Sequence, residues 1–171
     1  MLHAMKKRDF ARACVLFKRM RNVNARNAHG ATVLHTAAWC RRSEFVEFLC
    51  THRCIDVDAR DRHESTALHG AAVNLDLSSI RHLLIAGADP CALSTHGRTV
   101  LHFFALGVFA SGQSRRKRLG MLVLHELLCV YTVDIEAVTE FNETARDVLV
   151  KAKADDLLDC LDREVRAHVT A

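Results

Sequence analysis

The run Thr66-Ala67-Leu68-His69-Gly70-Ala71-Ala72 decides the fold of this chain of 171 residues. A threonine hydroxyl is a favoured helix N-cap, and the apolar residues behind it recur at helical spacing, so a helix is predicted to open here. Ile80, Leu83 and Leu84 then predict the buried face of a second helix. Gly87 supplies the left-handed residue that ends it. Each helix has a single apolar stripe, which the pair alone does not bury.

The same unit occurs twice more along the chain. It returns as Thr32-Val33-Leu34-His35-Thr36-Ala37-Ala38 and as Thr99-Val100-Leu101-His102-Phe103-Phe104-Ala105. The threonines that open successive runs are 34 and then 33 residues apart. A fixed period of this size, with a turn before each of two helices, indicates stacked repeats.

These runs resemble the signature of the ankyrin-repeat family, which is a Thr-Pro-Leu-His box, a pair of alanines and a later Leu-Leu-x-x-Gly-Ala-Asp. The last element reads here as Leu83-Leu84-Ile85-Ala86-Gly87-Ala88-Asp89. The resemblance covers nearly the whole chain and implies an all-α solenoid of helix-turn-helix units with projecting finger turns. In architecture, a short chain made of repeats alone is also similar to inhibitors of Rel/NF-κB-type transcription factors, including forms carried by insect-associated viruses.

The period divides the single domain into five units. They are predicted at 1–26 (an N-terminal half-repeat cap), 27–60, 61–93 and 94–137 (full repeats), and 138–171 (a C-terminal cap repeat). Leu124 lies 25 residues after Thr99, whereas Ile80 lies 14 residues after Thr66. An insertion is therefore predicted between the two helices of the third full repeat, near 106–117. The incomplete first unit, at 1–26, is either an N-terminal cap or the result of cutting the chain from a longer array.

The composition predicts a protein with a continuous apolar core. Half of the residues are hydrophobic and the mean hydropathy is +0.02. Seven cysteines, an odd number, fit a reduced intracellular protein better than a disulfide framework. No apolar run approaches the ~18 residues that a membrane span needs, and the opening residues lack the apolar core of a signal peptide. A cytoplasmic location is expected, with entry to the nucleus left open.

The net charge of +4 conceals a gradient along the chain. Residues 1–60 carry 12 Lys and Arg against 5 Asp and Glu, whereas residues 134–171 carry 5 against 10. A stack with a basic end and an acidic end can orient an incoming partner. The same gradient is also compatible with solvated helix faces that differ in charge.

Neither catalytic nor metal chemistry is predicted. The box histidines, His35, His69 and His102, occupy the same place in each repeat, where an imidazole can bond loop backbone of its own or the adjacent repeat. Cys50-Thr51-His52-Arg53-Cys54 has no second ligand pair at zinc spacing. No phosphate loop, nucleophile elbow or nucleophile–base pair is present at recognisable spacing, so no enzyme activity, cofactor or metal is expected.

The turns before the box threonines are the candidate partner surface. Counting three residues back from each threonine gives His29, His63, His96 and then Phe141. The resemblance implies that these tips line up beside the concave helix face and that variable positions there bind the partner. The predicted contact residues are His29, Trp39, Cys40, Arg62, His63, Val73, Asn74, His96, Arg98 and Phe141. Trp39 is the single tryptophan; it either faces the groove as an anchor or packs on a neighbouring helix.

The run Arg115-Arg116-Lys117-Arg118 is predicted to be a basic loop within the insertion. It has three interpretations: a solvated loop, a nuclear import signal or a phosphate-binding patch. Nucleic-acid binding is not expected, because no aromatic residue interleaves with the charges.

The sequence therefore predicts a non-enzymatic module that binds another protein through its finger turns and concave inner helices. Masking of a transcription factor or signalling protein is one form of this function. The alternative is a substrate-recruiting or regulatory arm of a larger enzyme complex such as a ubiquitin ligase. On its own the chain is expected to be a monomer that does not associate with membranes.

Overall fold

The computed structural model describes residues 10–110, 116–130 and 135–169. Within these ranges the chain forms nine α-helices, one short 3-10 turn at Thr95–Gly97 and an isolated antiparallel bridge between Val138 and Thr144. The helices are α1 (Phe10–Lys18), α2 (Val33–Trp39), α3 (Ser43–Cys50), α4 (Ala67–Val73), α5 (Leu77–Ile85), α6 (Val100–Phe109), α7 (Arg116–Val130), α8 (Ala145–Lys151) and α9 (Asp155–Val169).

The helices stack in two layers, which confirms the predicted all-α repeat fold. The inner layer is α2, α4, α6 and α8, and each of these helices packs on the next. The outer layer is α3, α5, α7 and α9, preceded by α1 against α3. Each inner helix also packs on the outer helix that follows it. Neighbouring repeats therefore bury the apolar stripe that a single pair of helices leaves open.

Equivalent positions of successive repeats are buried in the core. The box leucines Leu34, Leu68 and Leu101 are at most 1% exposed, and the alanine pair of the second repeat, Ala71 and Ala72, is completely buried. Small alanines allow inner helices to approach closely, while the leucines fill the space between the layers. The third repeat replaces one alanine with Phe104, which is also fully buried.

The box histidines cap the inner helices, which confirms their predicted structural role. The Nδ1 atom of His35 accepts the backbone N–H of Thr32 at 3.2 Å and lies 2.9 Å from the Thr32 hydroxyl. His69 and His102 make the same pair of contacts with Thr66 and Thr99. Because Nδ1 accepts the threonine N–H, the proton of each neutral ring resides on Nε2, which is free to reach the next repeat.

In two of the three boxes the Nε2 proton joins one repeat to the next. His35 donates to the carbonyl of Ser65 at 2.9 Å, and His102 donates to the carbonyl of Glu143 at 3.0 Å. His69 is completely buried, yet its Nε2 has no hydrogen-bond partner among the described residues. Instead the ring of Phe103 lies edge-on against it, with centroids 4.8 Å apart.

The first two inner helices are each followed by a left-handed residue that is not glycine. The left-handed residue after α2 is Arg41 (φ 54°), and after α4 it is Leu75 (φ 52°) rather than the more tolerant Asn74. A left-handed non-glycine residue costs about 1–3 kcal/mol, whereas burying a leucine contributes about 1.5–3 kcal/mol. Leu75 is only 2% exposed, so its burial offsets the backbone strain.

Of the predicted insertion near 106–117, residues 106–109 belong to α6 and residues 116–117 begin α7, while residues 111–115 lie outside the described residues. The inner helix α6 runs through Phe109 and has ten residues, against seven in α2 and in α4. The outer helix α7 has 15 residues, against nine in α5.

The basic loop was a wrong prediction for three of its four residues. Arg116, Lys117 and Arg118 form the first turn of α7, and Arg115 lies outside the described residues. Arginine and lysine are good helix formers, so the apolar period that begins at Leu119 extends back through them despite the unfavourable helix dipole.

Candidate partner-binding surface

Four finger turns precede the inner helices, at residues 27–31, 61–65, 94–98 and 139–143. Each is closed by the same backbone hydrogen bond, from the N–H of its first residue to the carbonyl of its last, at 2.9–3.0 Å. In the second turn the Asp61 carboxylate also accepts the N–H groups of His63 (2.8 Å) and Ser65 (3.0 Å). Asn27 braces the first turn in the same manner. The tips are therefore fixed before any partner arrives.

Adjacent tips are joined by backbone hydrogen bonds. These run from the N–H of Arg62 to the carbonyl of His29 (3.1 Å), from Thr95 to His63 (2.9 Å) and from Glu140 to His96 (3.0 Å). The structure thus brings the tip residues His29, His63, His96 and Phe141 into one row, hereafter the tip row. All four are exposed.

The third tip is already occupied by groups of the chain itself. The Nδ1 atom of His96 lies 2.8 Å from Oε2 of Glu140, and both side chains are well exposed, at 48% and 67%. The ring of Phe141 lies 5.4 Å from the His96 ring, and Phe141 itself is 60% exposed. This end of the tip row therefore presents an imidazole in contact with a carboxylate, beside an apolar ring.

Trp39 lies at the end of α2, with one part of its ring against the next repeat and another part exposed to solvent. An atom placed at the Cβ position of Gly70 would be 3.0 Å from both Cδ1 and Nε1 of the indole, so the ring rests directly on the backbone of α4. The side chain is nevertheless 46% exposed. The packing interpretation from sequence is confirmed, since the ring lies on a neighbouring helix, and the role of the exposed part as an anchor stays a prediction.

The amide of Asn74 is used to hold the stack together. Its Nδ2 donates to the carbonyls of Gly70 (2.9 Å) and Trp39 (3.1 Å), and Ala38 O lies 3.5 Å away. The bond to Trp39 satisfies a carbonyl at the end of α2, where the helix supplies no further N–H, and the bond to Gly70 ties the same amide to α4. Asn74 therefore positions Trp39, while Cys40, next to it, is a half-buried free thiol.

A second close contact joins α4 to α6. A Cβ at Gly107 would lie 2.2 Å from the carbonyl oxygen and 2.8 Å from the carbonyl carbon of Val73. Only glycine allows the two backbones this separation. Val73 remains half-buried, and its repeat equivalents are Trp39 and Leu106.

The floor of the groove carries no charge across three repeats. The sequences of α2, α4 and α6 contain no Asp, Glu, Lys or Arg. Side chains that are at least partly open to this floor include Trp39, Val73, Phe103 and Leu106. The inner groove, defined by these four residues, is therefore an apolar surface flanked by the tip row.

The remaining predicted contact residues differ in how they are placed. Arg62 is exposed in the second finger turn, next to the tip residue His63. Arg98 is half-buried, and its carbonyl closes the third turn by accepting the N–H of Ser94 at 2.9 Å. The basic run at 116–118 belongs to the outer layer, so it does not lie on an inner helix or in a finger turn.

Sequence reasoning overlooked Gly70, Gly107 and Asp147. Asp147 takes the place of the box histidine in the last repeat, where its carboxylate accepts both the N–H and the hydroxyl of Thr144 at 2.8 Å. Its spacing of three residues from the threonine was a usable signal. The contacts of the glycines depend on the spacing between repeats, which no single repeat reveals.

The described part of the chain shows neither a metal-binding cluster nor a membrane-spanning helix. Residues 10–110, 116–130 and 135–169 contain no group of three or more His, Cys, Asp or Glu arranged to hold a metal ion. None of the helices described there is long and apolar enough to cross a membrane.

A family model described as ankyrin repeats (3 copies) matches residues 1–94, which is more than half of the chain. No curated protein matches the sequence.

Proposed function

This chain belongs to the ankyrin-repeat family, whose repeats are generally protein–protein interaction modules, and we propose that it binds a partner protein across the tip row and the inner groove. The family is typically non-catalytic, which agrees with the absence of a catalytic motif in the sequence. The function is therefore recognition, without chemistry on the partner.

The half-open indole of Trp39 carries the proposal. Tryptophan is among the residues that dominate interface energies, since it buries a large area at little cost in side-chain entropy. Here the ring is oriented by Gly70 on one side and lies at the edge of an uncharged floor. An apolar side chain of a partner would bury the rest of the indole.

Two narrower roles, masking of a transcription factor and recruitment to an enzyme complex, would use the same surface. The architectural similarity to inhibitors of Rel-type factors has no support from a matched relative, and masking of a transcription factor or signalling protein is one form that the proposed binding would take. A recruiting arm of an enzyme complex would use the same groove. For location, we propose the cytoplasm, with the basic residues at the start of α7 as the candidate signal for nuclear entry.

Trp39→Ala is expected to weaken partner binding by about 2 kcal/mol, roughly 30-fold in Kd, because the anchor is lost from the groove. A partner would be captured from lysate on the wild-type chain, identified, purified and titrated against both chains. Ile85→Ala is the matched control, since Ile85 is 80% exposed but ends an outer helix. Equal losses for the two variants, or no loss for Trp39→Ala, would place the binding surface elsewhere.

A further inference from the structure

The residue that meets each tip histidine changes in charge along the tip row. The carbonyl of each tip histidine accepts a backbone N–H from the next finger turn. The donor is Arg62 for His29, Thr95 for His63 and Glu140 for His96. At the third tip the chain itself supplies a carboxylate, 2.8 Å from the imidazole. The three tips are equivalent by repeat symmetry, so the Glu140 side chain shows how a carboxylate sits against a tip histidine.

The first two tips receive no such carboxylate from the described residues. Arg62, His29 and His63 are exposed, and none of them forms an ion pair within that part of the chain. The two acidic residues nearest in sequence are already engaged. The Asp61 carboxylate braces its own turn, and Glu64 lies 3.7 Å from Arg60.

The uncompensated tips adjoin the apolar end of the groove. The first two finger turns lead directly into α2 and α4, which carry Trp39 and Val73 and no charged residue. At the opposite end the chain supplies the carboxylates itself, since Glu140 contacts His96 at 2.8 Å and Glu143 pairs with Lys151. One end of the surface therefore presents a guanidinium and two imidazoles that form no ion pair within the described residues, beside an apolar floor. The other end is met by the chain's own carboxylates.

We propose, on the basis of the function proposed above, that the partner segment combines large apolar side chains with Asp or Glu residues, which pair with Arg62, His29 and His63. A carboxylate can form a bidentate contact with a guanidinium and a hydrogen bond with an imidazole, and such complementarity fixes the orientation of a partner. The acidic residues lie toward the N-terminal end of the stack, and the apolar residues cover Trp39 and Val73.

Selection from a displayed library of random peptides on the full chain tests this assignment. The selected peptides are expected to be enriched in acidic and large apolar residues. For a synthesised selected peptide, Arg62→Glu should raise Kd at least about 10-fold, because it places a like charge against the peptide. Arg163→Glu on α9 makes the same charge change in the last outer helix and should alter Kd less than about 2-fold.

Each outcome separates this inference from the general function. Peptides that need Trp39 but are neutral or basic, or that are indifferent to Arg62→Glu, overturn the acidic assignment and leave groove binding in place. Peptides that bind the Trp39→Ala chain equally well overturn both, as does a failure to select any peptide. If circular dichroism shows that Arg62→Glu is unfolded, Arg62→Gln replaces it. Arg62→Gln should raise the Kd of the peptide by a smaller factor than a charge reversal would. An unchanged Kd for Arg62→Gln overturns the assignment.

Discussion

Gly107→Ala is expected to destabilise the protein by more than about 3 kcal/mol, enough to unfold much of a marginally stable stack. The added methyl group would lie 2.2 Å from the carbonyl oxygen of Val73. Both partners in this contact are backbone, so no side chain can rotate away. Alanine gains about 1 kcal/mol over glycine in helix propensity, which is too little to offset the clash. Chemical denaturation followed by circular dichroism measures the loss.

Gly120→Ala is the control, because it makes the same substitution in a buried helical position. Its Cβ would first meet the Leu157 methyl groups, at 3.3 and 3.6 Å, and these can move. The variant should be neutral or up to about 1 kcal/mol more stable than wild type. Similar stabilities for the two variants would contradict the close approach of α4 and α6.

Stability should fall as the solution is acidified from pH 6.5 to 4, and His69 is expected to contribute about 3 kcal/mol of that loss. Burial lowers the pKa of His69 to about 4, although the nearby Arg98 and Ala92 carbonyls act in the opposite direction. Between pH 6.5 and 4 the unfolded chain binds a proton at this ring and the folded chain does not, so acid favours unfolding. Above pH 6.5 both states are neutral and this dependence disappears.

His69→Gln isolates this contribution, because glutamine does not titrate and its amide oxygen can still accept the Thr66 N–H as in a capping box. The free energy of unfolding would be measured at several pH values for both chains, and the slopes rather than the absolute values compared. Burial also lowers the pKa values of His35 and His102, so part of the slope should persist in the variant. Identical slopes for the two chains would show that His69 is not buried as a neutral ring.

The repeat fold was predictable from the sequence because its signals are local and recur. A threonine followed three residues later by histidine specifies a cap, and the leucine and alanine positions specify a buried helix face. Three copies at nearly constant spacing leave few alternatives to a stack. The tip row follows from the same register, since equivalent residues of stacked units must lie side by side.

The details that depend on contacts between repeats were not predictable. The use of Asn74 as a brace for Trp39, and of Leu75 as the left-handed residue, follows from which side chain can be buried at that junction. Likewise, the contact between the rings of Phe103 and His69 joins residues of adjacent repeats. The sequence pattern within one repeat does not specify the distance between adjacent repeats. That distance determines the contacts of Asn74, Leu75 and Phe103.

The central claim is that a partner covers the inner groove. The most direct test is acrylamide quenching of Trp39 fluorescence. The chain has a single tryptophan, so the emission reports on one side chain that is 46% exposed. With a saturating tryptophan-free segment of the partner, the emission should shift to shorter wavelength and the quenching should fall by about half or more, as expected for an anchor that leaves water. A bound partner that leaves both the emission and the quenching unchanged would contradict the claim.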